Sequence, residues 1–118
     1  MTLSKKKTVS QLKKKVDKVF SLWIRKRDKR CFTCGRPASQ AGHFQSRRFS
    51  ATRYDEINVQ SQCIKCNIFC YGEQYIFGEK LNLVYGEGTA EKLRKKAQKL
   101  HQFTVKELDG IIEKYEKV

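Results

Sequence analysis

Apolar residues at Val9, Leu12, Val16, Val19, Phe20, Trp23 and Ile24 recur in steps of three and four. That spacing puts them on one stripe of an α-helix. The pattern predicts a helix from Val9 to about Asp28, with Ser10 or Thr8 as its cap. The period is then lost. Residues 30–66 carry few helical signals and read as a knuckle, a β-hairpin around His43, a loop, and a second strand near Asn58 to Gln60. Helix-compatible spacing returns over residues 67–85 with Phe69, Ile76, Leu81 and Val84, interrupted by Gly72 and Gly78. Gly86-Glu87-Gly88 is a break. Beyond it Thr89 opens a short helix with Ala90, Leu93, Ala97 and Leu100 on one face. The stretch TVKE, Thr104 to Glu107, is a capping-box signature for a last helix carrying Leu108, Ile111, Ile112 and Tyr115.

These elements predict an α+β fold in a single domain over residues 9–118, preceded by a solvated basic tail over residues 1–8. Within the domain, residues 9–29 form a basic amphipathic helix, 30–85 the knuckle and core, and 89–118 a C-terminal helical pair. A chain of 118 residues with 39% hydrophobic content supports one modest core.

Charge narrows the partners. The formal net charge is +14, and residues 1–30 carry twelve Lys/Arg against Asp17 and Asp28. A balance this basic favours nucleic acid or an anionic membrane surface. The lysines fall off the apolar stripe of the first helix, so its opposite face is positive. The run Lys13-Lys14-Lys15 and the cluster Arg25-Lys26-Arg27 share that helix and suit phosphate contact. No apolar run approaches the roughly 18 residues needed to span a bilayer. The start MTLSKKKTVS lacks the apolar core and cleavage site of a signal peptide. An intracellular setting is therefore expected, with no membrane partner. Stable disulfides are rare there, so the five cysteines point to metal.

Cys31-Phe-Thr-Cys34 and Cys63-Ile-Lys-Cys66 are two CxxC pairs. Two residues between cysteines let both sulfurs reach one ion from a tight turn, and two such turns complete a tetrahedron around Zn²⁺. A redox CxxC is the rival reading, but redox motifs usually come singly and at a helix start. Four thiolates leave no open position, so this zinc staples the fold rather than catalysing. It is expected to tie the end of the first helix to the start of the helix after Cys66. Cys70 is left over and is expected to be a small buried apolar residue.

Between the pairs lies the order His43, then Asn58 fifteen residues on, then Asn67 directly after Cys66. This order resembles the HNH, or ββα-metal, nuclease motif. The run AGHFQSRRFSATRYDEINVQSQCIKCN resembles more closely the phage recombination proteins of the NinG/Rap type. These carry a zinc knuckle, an AGHY-like segment, an SRR segment, a DERN-like segment and CxxCN. The resemblance extends from Trp23-Ile24-Arg25 to the last helix. It implies a small zinc-stapled ββα-metal core flanked by N-terminal and C-terminal helices, which cleaves DNA phosphodiesters with Mg²⁺ or Mn²⁺. His43 is then the general base, since imidazole titrates near neutral pH. Asn58 holds the ring orientation through a side-chain or backbone bond, and Asn67 faces the metal. Two departures stand out. Most HNH sites have an acid directly before the histidine, where this chain has Gly42, and NinG-like chains usually have Asp three before it, where this chain has Gln40. Mg²⁺ prefers carboxylate oxygen, so Asp55 and Glu73 become the candidate metal ligands beside Asn67, with Glu56 also near in sequence. The second departure is Tyr71-Gly72-Glu73, where NinG-like chains often read SGN.

Arg47, Arg48 and Arg53 fall in the loop between the proposed strands, with Phe49 and Tyr54 interleaved. Arginine's planar fork suits phosphate. With Arg25, Arg27 and Lys14 they make the expected DNA-binding set, while Phe49 and Tyr54 are expected to divide between base stacking and core. No base-reading motif is evident, so binding should be led by backbone charge and shape, as suits branched or junction DNA. Paired cuts across a junction need two active sites, which makes a homodimer reasonable. His101 has no motif around it and reads as an ordinary helix-face residue. Two further readings remain: a zinc-stapled DNA-binding protein without a working active site, and an RNA-binding zinc module.

Overall fold

The computed structural model describes residues 7–117. Most of the expected basic tail, residues 1–6, lies outside them. Helix α1 spans Val9–Arg27 and starts on a capping box: Gln11 donates its backbone N–H to Thr8 Oγ1 (3.1 Å), and Thr8 N–H donates to Gln11 Oε1 (2.9 Å). Its buried stripe is Leu12, Val16, Phe20 and Ile24. Arg25, Lys26 and Arg27 crowd the last turn, where the helix dipole favours cations.

The sheet has two antiparallel strands, β1 (Gln40–His43) and β2 (Val59–Gln62), in the register Gln40↔Gln62, Gly42↔Gln60 and His43↔Val59. The loop between them contains one short helix, α2 (Ser50–Arg53). After β2 a π-helical turn covers Lys65–Phe69. Helices α3 (Gln74–Tyr85), α4 (Thr89–Ala97) and α5 (Val105–Glu116) follow. Thr104 caps α5 with the expected box to Glu107.

The lower part of α1 packs Leu12 and Val16 against Leu108 and Ile112 of α5. Its upper part packs Phe20 and Ile24 against Val59 and Tyr115. A second core joins Phe77 and Leu81 of α3 to Leu93 of α4, under Phe32, Phe44 and Ile57. The two last helices therefore do not form a pair: α4 packs on α3 and α2, and α5 packs on α1. Gly78 does not interrupt α3. It lies buried inside the helix, and a Cβ there would stand 3.2 Å from the Phe44 ring, so the missing side chain lets that ring close onto α3. The α4 stripe stops at Ala97. Leu100 is fully exposed beyond it, and His101 sits off the helix with Nε2 2.8 Å from Glu107.

The two faces of the sheet differ in chemistry. One face, with Ala41 and Val59, packs on α1. The other carries amides, because alternate residues point to one side. Gln62 Nε2 donates to Gly72 O (2.9 Å) and Thr33 Oγ1 (3.2 Å), and Gln60 Nε2 donates to Ile57 O (2.9 Å) and Tyr85 Oη (3.1 Å). Gly42 and Gln62 are diagonal neighbours on this face. A Cβ on Gly42 would lie 1.8 Å from Gln62 Oε1, so the glutamine oxygen fills the space a side chain at position 42 would take.

One ion pair fastens the inter-strand loop to α1. Arg53 Nη2 and Nε donate to the two carboxylate oxygens of Asp17 (2.7 and 3.0 Å), and Tyr54 Oη donates to Asp17 Oδ1 (2.7 Å). Burial pushes the Asp17 carboxyl up, but the bonds and charge of Arg53 and the bond from Tyr54 outweigh it and hold the group below the usual aspartate value.

Two outcomes follow from this packing. Replacing Gly42 by Ala should destabilise the fold by roughly 2 kcal/mol, because Gln62 is fixed by its two bonds and cannot swing away. In a Gln62→Ala background the same replacement should cost well under half as much, and a urea-unfolding double-mutant cycle reads the difference. Equal costs in both backgrounds would contradict the packing. Asp17→Ala should lose about 2 kcal/mol at neutral pH, less than for a fully buried pair because solvent screens the partly exposed group. Since the folded value is depressed, the wild-type advantage is complete above about pH 4 and disappears as pH falls below it. Melting curves of both proteins across that range test the sign.

Candidate functional site

The four cysteines of the CxxC pairs come together, with all their sulfurs within 4.8 Å of one another and Cys34 Sγ 3.6 Å from Cys63 Sγ. Tetrahedral zinc with bonds of about 2.3 Å needs sulfurs about 3.8 Å apart, so the cluster fits the ion. Each pair is built by local hydrogen bonding. Cys31 N–H donates to Arg36 O (2.6 Å) and Gly35 N–H to Cys31 O (2.9 Å), folding the first turn. Cys66 N–H donates to Cys63 Sγ (3.5 Å) in the second. Cys31, Cys63 and Cys66 are buried and Cys34 is exposed. Burial opposes ionisation of Cys31, but the Thr33 hydroxyl and backbone N–H groups hold its thiol down at about 6. Burial pushes the Cys66 thiol up to about 12. Four thiolates cannot share so small a volume without a cation to neutralise them. Cys70 stands apart. It is half-buried rather than fully packed, and the Glu73 carboxylate beside it raises its pKa.

Beside this cluster opens a cleft of about 550 Å³, bordered by His43, Arg47, Asn67, Tyr71, Gly72 and Gln74 among others. His43 ends β1, and its Nε2 lies 3.0 Å from Arg53 O. A carbonyl only accepts, so Nε2 carries the proton and Nδ1 keeps its lone pair. Burial drives the imidazole pKa down to about 4, against the Arg53 carbonyl bond that favours the charged ring, so the ring is neutral at physiological pH.

Asn58 does not touch the imidazole through any of its side-chain bonds. Fully buried, it accepts from Gln45 N–H (2.7 Å) and donates to Gln45 O (3.1 Å) and Thr52 O (3.0 Å). It thereby closes the loop whose Arg53 carbonyl holds His43. Asn67 lies in the π-helical turn, and its Nδ2 donates to Gln40 Oε1 (2.7 Å). That bond fixes the amide and leaves Oδ1 on the side of Gly42, 3.1 Å from where a Cβ there would stand.

The cleft lining contains no carboxylate. Asp55 lines a different depression, where it accepts from Ile57 and Asn58 N–H (2.8 and 3.1 Å) and pairs with Lys96 (2.5 Å). Glu73 keeps company with Cys70. The oxygens nearest Gly42 are amides, Asn67 Oδ1 and Gln62 Oε1. Gln62 Oε1 is buried without a hydrogen-bond partner among the described residues.

The expected DNA-binding cations separate into two groups. Arg47 and Arg48 are exposed, Arg48 lying 4.8 Å from the centre of the Phe49 ring, and Lys14 is exposed on α1. Arg53 is instead committed to Asp17 and to Arg47 O (3.1 Å), which removes its guanidinium from the surface set. Arg27 stays exposed, but its fork bonds to Glu56 O (2.9 Å), Val59 O (3.0 Å) and Gln60 Oε1 (3.1 Å), with Trp23 at 5.1 Å. Arg25 is half-buried and donates to Ser21 O (3.2 Å). Of the two interleaved aromatics, Tyr54 belongs to the core and Phe49 is half-buried.

Sequence reasoning passed over Gln62, Asp17 and Tyr71. The first two carry no motif, and their roles depend on partners 20 or more positions away. Tyr71 occurs at a noted departure from the NinG-like pattern. It is 87% exposed, it borders the cleft, and Tyr71, Gly72 and Glu73 adopt successive positive φ angles of 51°, 85° and 52°. Two non-glycine residues in the left-handed region cost about 1 kcal/mol or more each.

No helix among the described residues is long and apolar enough to cross a membrane. No solved structure matches the chain. Two curated relatives do, "Protein ninG" of Escherichia phage 933W and "Protein ninG" of Enterobacteria phage VT2-Sa. Each is 28% identical over 109 residues, covering 87% of this chain and 54% of the relative. The chain thus spans about half the length of the curated relatives it matches. The family described as "Bacteriophage Lambda NinG protein" matches residues 1–118. The chain belongs to the NinG family.

Proposed function

We propose that this chain is a metal-dependent DNA endonuclease with an HNH-type site, stapled by a structural Zn²⁺ and acting on branched or junction DNA in phage recombination or repair. The observation that carries the reading is His43: a neutral imidazole, tied through Nε2 to a backbone carbonyl, at the edge of an open cleft that also holds Arg47 and Asn67. A fixed ring with one free lone pair is what a general base requires. In the proposed reaction His43 Nδ1 takes a proton from water, the water oxygen bonds to phosphorus, and the P–O3′ bond breaks. Arg47 binds a phosphate oxygen. Asn67 would hold the catalytic Mg²⁺ or Mn²⁺. When bound, that ion supplies Lewis-acid stabilisation of the leaving oxygen.

A second reading has its own support. A cleft without carboxylates and an imidazole with a pKa far below neutral also suit a protein that binds DNA and does not cut it.

Cleavage assays separate the two. With branched DNA and Mg²⁺ or Mn²⁺, the wild type should cut and His43→Ala should lose about 10²- to 10⁴-fold in rate. Cutting that survives the substitution removes His43 from the role of base. A wild type that binds tightly and never cuts establishes the second reading. The zinc assignment has a separate check. Elemental analysis should find one zinc per chain, and Cys63→Ser should abolish cooperative folding, since structural zinc contributes folding free energy directly. A well-folded, zinc-free wild type overturns it.

A further inference from the structure

Tyr71 combines two unfavourable features beside the His43 cleft. Its ring is almost wholly in water, and its backbone sits in the left-handed region that suits glycine. Neither is explained by packing, since the side chain is 87% exposed. Tyr75, at the start of α3, is 80% exposed, and Phe69, in the preceding π-helical turn, is 72% exposed. Large rings concentrated on one segment mark a contact surface more often than scattered apolar residues do.

The occupant is indicated by the charge around Tyr71. The cleft it borders contains Arg47 and no carboxylate, and the chain as a whole carries +14. That combination admits a polyanion. A nucleic acid with all bases paired offers phosphates to Arg47 but no open ring face to Tyr71. One with an unpaired base beside the bound phosphate offers both. Base stacking on tyrosine is sequence-tolerant, which agrees with the lack of any base-reading motif.

We infer that Tyr71 is a specificity-determining residue that stacks on an unpaired base next to the phosphate held in the His43 cleft, so that the chain selects DNA with strand breaks in pairing over continuous duplex. This rests on the cleft being the DNA site of the proposed function. It does not depend on whether that site cuts.

The strain supplies a variant that keeps the fold. Tyr71→Gly removes the ring and relaxes the φ of 51° at the same time, so its melting temperature should equal or exceed that of the wild type. Binding is measured with the structural zinc kept in place, without chelator and without added Mg²⁺ or Mn²⁺ so that no cleavage occurs, on a forked DNA with unpaired thymines at the branch and on a fully paired duplex of equal length and salt. Tyr71→Gly should weaken fork binding about tenfold and leave duplex binding within about twofold, while Tyr71→Trp should retain the wild-type preference. A 2-aminopurine at the first unpaired position should be quenched by the wild type and not by Tyr71→Gly. Loss of equal size on both DNAs, or no loss on either, overturns the inference while leaving DNA binding at the cleft intact. No binding of any DNA by the wild type overturns the proposed function and this inference together. Binding with the fork preference but without cutting in Mg²⁺ or Mn²⁺ upholds the inference and rejects only the nuclease chemistry.

Discussion

Arg53 is the residue on which the arrangement around His43 depends. Its guanidinium is gripped by both oxygens of Asp17 on α1, and its carbonyl lies 3.0 Å from His43 Nε2. Side chain and main chain of one residue thus transmit the position of α1 to the imidazole. Asn58 secures the same loop from inside, through its bonds to Gln45 and Thr52. An imidazole at the end of a four-residue strand would otherwise be free to rotate. Here its tautomer and its orientation are set by a loop that has no regular structure beyond one helical turn. The stability of the α1 packing and the geometry of the candidate site are therefore one problem, not two.

The same economy appears on the other side of the sheet. In β2 all four residues Val59–Gln62 are buried, although three are polar. Apart from Gln62 Oε1, their amide and hydroxyl groups find partners within the fold, so the polar face of the sheet does not look onto water. Gly42 is glycine because Gln62 Oε1 occupies the space beside it. An acid directly before His43 is thus excluded by packing. The oxygens on that side come from the opposite strand and from the π-helical turn, and both are amides.

Elements that bury one apolar stripe were legible from the chain. The α1 stripe, both glycines of the 86–88 break and the capping box of α5 appear where local spacing predicts them. So did the meeting of the four cysteines, because two tight turns need few other contacts to converge. Gly78 misled, since a glycine inside a helix is locally a breaker and only the approach of Phe44 explains it. Leu100 misled too, because the α4 period continues in sequence past the point where the helix ends. Asp55 and Glu73 are near His43 or Cys66 in sequence yet line other parts of the surface. What could not be read was any role created by a long-range partner, as for Asp17 with Arg53 and Gln62 with Gly42.

The fate of the cations follows the same division. Arg53, with a carboxylate within reach of its fork, is drawn into the structure, while Arg27 stays exposed although its fork meets the Glu56 and Val59 carbonyls. Guanidinium is weakly hydrated and presents several donors in one plane, so it can leave water where fixed acceptors meet it. Lysine's ammonium is strongly hydrated, and Lys14 stays exposed. The high net charge therefore overstates the number of arginines that can grip phosphate with a fork. Near the cleft the burden falls on Arg47, with Arg48 further along the loop. In the proposed reading, a cleft with so few forks would hold a phosphate backbone loosely, and a loosely held backbone would discriminate substrates by whatever else touches them. Tyr71 would be the ring that does so.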